Sequence, residues 1–466
     1  MVNRRNFLGL SSAALWVLSQ GPVAAAAQRR KPNFIIILCD DLGFGDVEPT
    51  GGKTIKTPNI DRMAREGMVL TDYYAPANIC TPSRAGLLTG RYAIRSGLAY
   101  QVIMQNDTRG LPLSEVTIPQ ALKPAGYVSA LIGKWHLGHV APYWPPTVHG
   151  FDLFFGLPYS HDMLPLSLYT DNGPGVELTK EDVVYTQLQQ RFYQRAAKFI
   201  DDNAARPFFL ELALSAPHLP NDPNPMHRGH SAAGAYGDMV EEIDAIVGRL
   251  AAKLKALGLD RDTLVIFTSD NGPWFEGSTG GLRARKGDAA YDGGYRVPFI
   301  ARMPGTVPAG RRVNSIAMGI DLLPTLCAMA GVPTPAGVEL DGLDISAVLT
   351  KGAPSPHDEL ILFDNEDVVG VRTQRYKYVG SAYYHGFLLP ISRPKPGLTD
   401  ASQLYDMSSD ISESYSSASR DPRALADMQA RFKRAREKFG PMKAKEIPPA
   451  FRGLMNQTPD SKPRQD

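Results

Sequence analysis

The sequence predicts an α/β protein: a large, mixed but mostly parallel sheet between helices, with a smaller C-terminal α+β unit on a short antiparallel sheet. Three observations predict it. Continuous apolar runs recur at residues 33–39, 207–214 and 263–269, with the length and β-branched content of fully buried parallel strands. Helical patterns separate them, most clearly at 236–257, where Met239, Val240, Ile243, Ile246, Val247, Leu250, Leu254 and Leu257 follow the i, i+3, i+4, i+7 spacing of an amphipathic helix. Beyond Gly352 the pattern changes to short strands with turn signals at 359–363, 368–372 and 376–379, a meander.

Composition narrows the function. Lys and Arg number 50 against 48 Asp and Glu, a net charge of +2, so no electrostatic case exists for binding nucleic acid or a membrane surface. The three cysteines form neither a disulfide framework nor a zinc pattern. Cys39 and Cys327 lie in apolar runs and read as core, whereas Cys80 lies in a polar, Gly/Pro-bounded stretch.

In chain order, Arg4 and Arg5 precede Asn6-Phe7-Leu8, an apolar stretch and small residues, which reads as a signal peptide over 1–27 resembling the bacterial twin-arginine type, with a plain Sec signal as the other reading. The mature protein is then expected to be exported, periplasmic or secreted. The first buried strand ends in Asp40-Asp41, at the edge where open α/β sheets bind ligands. A helix over 58–67 follows. The stretch N-I-C-T-P-S-R-A-G-L-L-T-G at 78–90 reads as a loop entering a helix, with Cys80 just ahead of its N-terminus and Arg84 in its first turn. A short strand at 127–132 delivers G-K-W-H-L-G, where Lys134 and His136 are expected on one side of an extended chain. Residues 151–160, aromatic and glycine-rich, read as loop. A helix at 189–202 precedes the strand that ends at Ser215-Ala216-Pro217-His218, and the 263–269 strand ends in Asp270-Asn271. A Gly- and charge-rich segment at 277–294 carries Lys286; a strand at 297–303 and a helix at 320–330 follow. The basic helix at 423–439 presents a solvated charged face, and the tail from 457 to 466 is polar and expected to be disordered.

Two strand ends, Asp40-Asp41 and Asp270-Asn271, offer hard oxygen ligands of the kind calcium or magnesium takes. Around them stand Arg84, Lys134, Lys286, His136 and His218. A divalent cation with several cationic side chains and two histidines describes a site for transfer of a tetrahedral oxyanion.

These motifs resemble those of the sulfatases, in particular the arylsulfatase A-like branch of the alkaline phosphatase superfamily. C-T-P-S-R-A-G-L-L-T-G-R at 80–91 resembles the family signature and G-K-W-H-L-G at 133–138 its second signature. S-A-P-H at 215–218, T-S-D-N-G at 268–272, the segment 285–299, L-P-Y-S-H-D-M at 157–163 and I-D-L-L-P-T-L at 320–326 are similar as well. The resemblance spans about residues 33–406 and implies an alkaline-phosphatase-like core. It divides the chain into a catalytic domain over 31–352 and a smaller domain over 353–445.

The resemblance further implies a sulfuric ester hydrolase whose Cys80 is oxidised to Cα-formylglycine (3-oxoalanine) by a formylglycine-generating enzyme. One hydroxyl of the hydrated aldehyde would attack sulfur to give a sulfo-enzyme, and the second would expel sulfate. Asp40, Asp41, Asp270, Asn271 and the modified Cys80 would hold Ca²⁺, with Mg²⁺ the lesser candidate. Arg84 and Lys134 would stabilise the hydrate, and His136 would act as base. His218, Lys286, Lys134 and Ser160 would contact sulfate, with His218 and Lys286 helping to protonate the leaving oxygen. Ala284-Arg285 and Asp288-Ala289-Ala290-Tyr291 depart from the family pattern beside Lys286, where altered access but no loss of a catalytic group is expected; S-E-S-Y at 412–415 departs with local consequences expected. A phosphonate or phosphate monoester hydrolase of the same superfamily, or a non-catalytic binder of sulfated glycans, are the other readings. The alcohol part of the ester is open between aryl and carbohydrate, with Tyr159, His161, Trp274 and the loop 385–397 as candidate entrance residues.

Overall fold

A computed structural model describes residues 30–173, 175–382, 399–444 and 448–449. The expected signal peptide, the entrance loop 385–397 and the tail 457–466 lie outside the described residues. A ten-stranded sheet forms the centre. Its spatial order is Arg311–Val313, Met68–Leu70, Phe299–Arg302, Thr263–Ser269, Asn33–Asp40, Phe208–Pro217, Val128–Lys134, Leu153–Leu157, Ser167–Asp171 and Thr179–Asp182. The five strands from Thr263–Ser269 to Leu153–Leu157 are parallel, and pairings toward both edges are mostly antiparallel. Each apolar run is buried on both faces because helices cover both. Ile60, Met63, Phe192, Val240, Ile243 and Ile246 pack on one face. Leu87, Leu88, Ile118, Leu323 and Leu326 pack on the other.

A four-stranded antiparallel sheet, Leu360–Asp364, Asp367–Arg372, Tyr376–Ala382 and Thr399–Asp406, lies against that second face with the helix Pro422–Phe439. The helix buries Met428, Phe432, Ala435 and Phe439 and leaves its charged residues outward. Its sheet shares one continuous apolar cluster with the large sheet, since the rings of Tyr92, Phe363 and Phe439 meet in tilted and edge-to-face contacts between them.

The structure corrects three readings. Residues 153–157 form a strand, not a loop. Their aromatic side chains are buried, and Gly156 pairs with Gly133 so closely that a Cβ on it would lie 1.8 Å from the Gly133 carbonyl oxygen. Cys80 is the first residue of its helix, Cys80–Thr89, with Ile79 as the extended cap. His136 is not extended: its φ of +61° lies in the left-handed region. Among the described residues, no helix is long and apolar enough to cross a membrane, and all three cysteines are free and buried.

Candidate active site

The carboxyl ends of the parallel strands converge on one buried cluster. Asn33–Asp40 delivers Asp40 and Asp41, Thr263–Ser269 delivers Asp270 and Asn271, Val128–Lys134 delivers Lys134, and Phe208–Pro217 delivers His218. The helix Cys80–Thr89 points its N-terminus at them, with Cys80 and Arg84 one turn apart on the same face. Lys286 enters from the loop after the Thr263–Ser269 strand. Gly272 sets the approach of that loop: its N–H donates to the Gly294 carbonyl (2.8 Å), and a Cβ there would come within 1.9 Å of the Gly293 oxygen.

Three carboxylates face three cations. Lys134 Nζ donates to both Asp40 oxygens (2.9 and 2.7 Å). Arg84 Nε and Nη2 hold Asp270 Oδ2 (2.9 and 2.8 Å), while Arg84 Nη1 donates to the Lys134 carbonyl (2.8 Å). Lys286 Nζ donates to Asp41 Oδ2 (2.6 Å), and Asn271 Nδ2 donates to Asp41 Oδ1 (2.7 Å). Asp41 has φ +63°, a left-handed backbone that a non-glycine residue adopts only under local constraint. Burial works against the Asp40 carboxylate, yet Lys134, His218, Arg84 and Lys286 hold it well below the usual range. Burial pushes Asp270 up to about 6 against the pull of Arg84, and the Asp40 charge adds to the rise.

Ligand atoms of Asp40, Asp41, Cys80 and Asp270 lie within 4.8 Å of one another, all buried. The buried Asn271 Oδ1, beside them, has no hydrogen-bond partner among the described residues. Crowded carboxylate oxygens with an unsatisfied amide oxygen fit a hard divalent cation.

Cys80 sits in that cluster, its Sγ 3.6 Å from Asp40 Oδ1 and 4.0 Å from Asp41 Oδ1. Burial drives its thiol well above the ordinary cysteine value, despite Lys134 and Lys286 nearby. Burial thus disfavours the thiolate form of Cys80. His136 Nε2 lies 3.0 Å from the Ile103 carbonyl. A carbonyl only accepts, so Nε2 carries the proton and Nδ1 presents a lone pair; that buried Nδ1 has no partner among the described residues. Burial and the Lys134 charge keep the ring neutral, well below the usual histidine range. His218 Nδ1 donates to the Leu219 carbonyl (2.6 Å), which leaves Nε2 facing Ser160 Oγ (3.4 Å) and Asp41 Oδ2 (3.6 Å).

A cavity of about 490 Å³ opens over this cluster, its floor formed by Asp41, Cys80, His136, Ser160, His218 and Lys286. All the expected site residues thus come together, with Asp40, Arg84, Lys134, Asp270 and Asn271 in the layer beneath. Of the expected entrance residues, Trp274 lines the cavity. Tyr159 does not: its hydroxyl donates to the Pro165 carbonyl and its ring is buried. His161 is buried behind His218, ring centroids 5.6 Å apart, with Nε2 3.2 Å from the Pro220 carbonyl.

The sulfatase family profile matches residues 32–332. The chain belongs to the sulfatase family. Bovine (Bos taurus) arylsulfatase A is 37% identical over 442 residues, covering 86% of each chain. N-acetylgalactosamine-6-sulfatase of Canis lupus familiaris is 36% identical over 396 residues, 78% of this chain and 74% of that protein. The solved PsFucS1 sulfatase from Pseudoalteromonas sp. superposes with a TM-score of 0.80 at 30% identity, covering 90% of this chain and 92% of the other. These relatives bear the names of sulfuric ester hydrolases, the enzyme class to which this sulfatase belongs.

Two buried acidic residues carried no sequence signal. Glu211, in the middle of the Phe208–Pro217 strand, is a buried carboxylate whose Oε2 has no partner among the described residues. Glu413 is fully buried, although its S-E-S-Y setting suggested local consequences only. It takes the Asp292 N–H on Oε2 (2.8 Å) and pairs through Oε1 with Lys377 Nζ (2.8 Å), which also donates to Asp292 Oδ1 (2.5 Å). The C-terminal sheet is thereby tied to the end of the loop that carries Lys286. Ala284, within that loop, adopts φ +62°, a left-handed backbone that favours glycine over a residue with a Cβ.

Proposed function

We propose that the protein hydrolyses sulfate monoesters to an alcohol or phenol and inorganic sulfate, with Cys80 as the precursor of a Cα-formylglycine nucleophile. The observation that supports it most is the placement of Cys80: at a helix N-terminus, on a cavity floor, among three carboxylates. A thiolate nucleophile has no support there. Hydrated formylglycine supplies two hydroxyls, one to attack sulfur and form the sulfo-enzyme and one to release sulfate, where a serine would offer only the first. Asp40, Asp41, Asp270, Asn271 and residue 80 would hold a Ca²⁺ (Mg²⁺ less readily), whose charge polarises the sulfate oxygens.

The chain's own groups divide the remaining work. Lys286 and His218, on the floor, bind the sulfate oxygens, with Ser160 bonded to His218 Nε2. Arg84 and Lys134 fix the Asp270 and Asp40 carboxylates and bring positive charge beneath residue 80. His136 Nδ1, the neutral acceptor, takes the proton of the second hydroxyl as sulfate departs. His218 gives a proton to the leaving oxygen, its ring oriented by the Leu219 carbonyl. On this reading residues 31–352 carry the chemistry and residues 353–445 brace the Lys286 loop. Maturation requires a formylglycine-generating enzyme, and the paired arginines at Arg4-Arg5 support export to the periplasm or beyond.

Turnover of para-nitrophenyl sulfate against phenyl phosphonate tests the reaction class. A strong preference for sulfate is expected; a strong preference for phosphonate would replace the sulfatase reading by the monoester hydrolase one.

A further inference from the structure

The cavity above the cluster has a lining that the transfer chemistry does not use. Six apolar side chains, Val102, Met104, Met163, Leu164, Leu219 and Trp274, form half of its wall. Leu164 is 65% exposed, a surface that stays wet unless an apolar group covers it. The two methionines are unbranched and polarisable, suited to apolar groups of varied shape.

Charge is distributed unevenly along the same wall. Among the described residues, the only lysine or arginine on it is Lys286, on the floor and paired with Asp41. Above the floor the carboxylates are Asp162, whose side chain bonds with Ser160, and Glu276. The guanidinium of Arg285, on the same lip as Trp274, does not line the cavity. It lies over the Phe275 ring (4.9 Å to the centroid) and donates to the Trp274 carbonyl (2.7 Å), which braces the lip. Polysulfated or uronate-bearing glycans would meet two carboxylates and, among the described residues, no cation above the floor.

We infer that this site selects sulfate esters whose alcohol part is apolar and bears no second anion, with Asp162 and Glu276 as the residues that reject anionic alcohols. The inference rests on the sulfate-ester reading above. It adds that the wall chooses among such esters by charge, since like-charge juxtaposition disfavours the wrong partner more than it helps the right one.

The test uses full-length protein whose Cys80 conversion has been verified. It compares kcat/KM for para-nitrophenyl sulfate, para-carboxyphenyl sulfate and a uronate-bearing sulfated disaccharide. The double variant Asp162→Asn, Glu276→Gln is measured alongside. Expected is a preference of about tenfold or more for the neutral aryl ester, reduced several-fold in the double variant and compressed by added salt. The ratio between substrates is the readout, so a common change in turnover does not enter. Equal use of neutral and anionic esters by the unmutated protein, or a preference unmoved in the double variant, overturns the inference alone. Absence of turnover of every sulfate ester overturns the hydrolase reading and the inference with it.

Discussion

Replacing Glu211 with glutamine should make the protein more stable at neutral pH and leave it nearly unchanged in acid. Glu211 lies on the central strand Phe208–Pro217, paired with Ile36 on one side and Leu131 on the other, 2% exposed. Burial raises its carboxyl from the ordinary 4.5 to about 7, with only the Arg84 charge pulling it back. The folded state therefore holds this proton in a range where the unfolded chain releases it. Stability from the protonated form is fully present below about pH 4.5 and is lost as pH rises through about 7. Over that interval, at about 1.36 kcal/mol per pH unit, the loss amounts to roughly 3 kcal/mol. Unfolding entropy of about 2.1 cal/mol/K per residue over a chain of 466 residues converts this to about 3 °C in Tm. Scanning calorimetry of both proteins from pH 5 to pH 8 should show the Glu211→Gln curve rising above the parent by about that amount. Parallel curves, or a gap that closes as pH rises, would refute the placement of an unpaired buried acid there.

Lys377→Met should cost about 3–5 kcal/mol, because it leaves Asp292 and Glu413 buried without their shared cation; denaturant unfolding measures it, and a loss under 1 kcal/mol would show the network to be dispensable. His136→Ala should lower kcat by about 10²–10⁴-fold with Cys80 conversion intact, as expected for loss of a positioned base; single-turnover release of sulfate checks this, since loss of the second step alone leaves the first burst in place. Chelation should lower Tm, and Ca²⁺ should restore it at lower concentration than Mg²⁺; at about a hundred times its Kd an ion adds roughly 2.7 kcal/mol, so an unchanged Tm would argue against a metal at Asp40, Asp41, Asp270 and Asn271.

The sheet and the polar groups at its strand ends were legible because buried parallel strands are uninterrupted apolar runs that stop where their polar residues begin. Asp40, Lys134, His218 and Asp270 all follow such runs. The strand Leu153–Leu157 was hidden because its glycine reads as a loop signal, whereas Gly156 is required where two backbones approach at Gly133. The edge strands Ser167–Asp171 and Thr179–Asp182 are polar, and the latter is fully exposed, so no periodicity marks them. Arg84 and Cys80 share a helix and show their relation in spacing. Glu413 meets Asp292 and Lys377 only through the packing of a second sheet. The cavity wall is more distant still, since Val102, Met163, Leu219 and Trp274 come from four separate connections. No local pattern joins them.

The central claim is that residue 80 works as an oxidised oxygen nucleophile and not as a thiol. Peptide mass spectrometry of the segment containing Cys80, on protein from a host with the maturing enzyme, tests it most directly when paired with the specific activity of the same sample. The account predicts formylglycine or its hydrate at position 80 and sulfate-ester turnover proportional to the converted fraction. An active protein carrying only the unmodified thiol would contradict it.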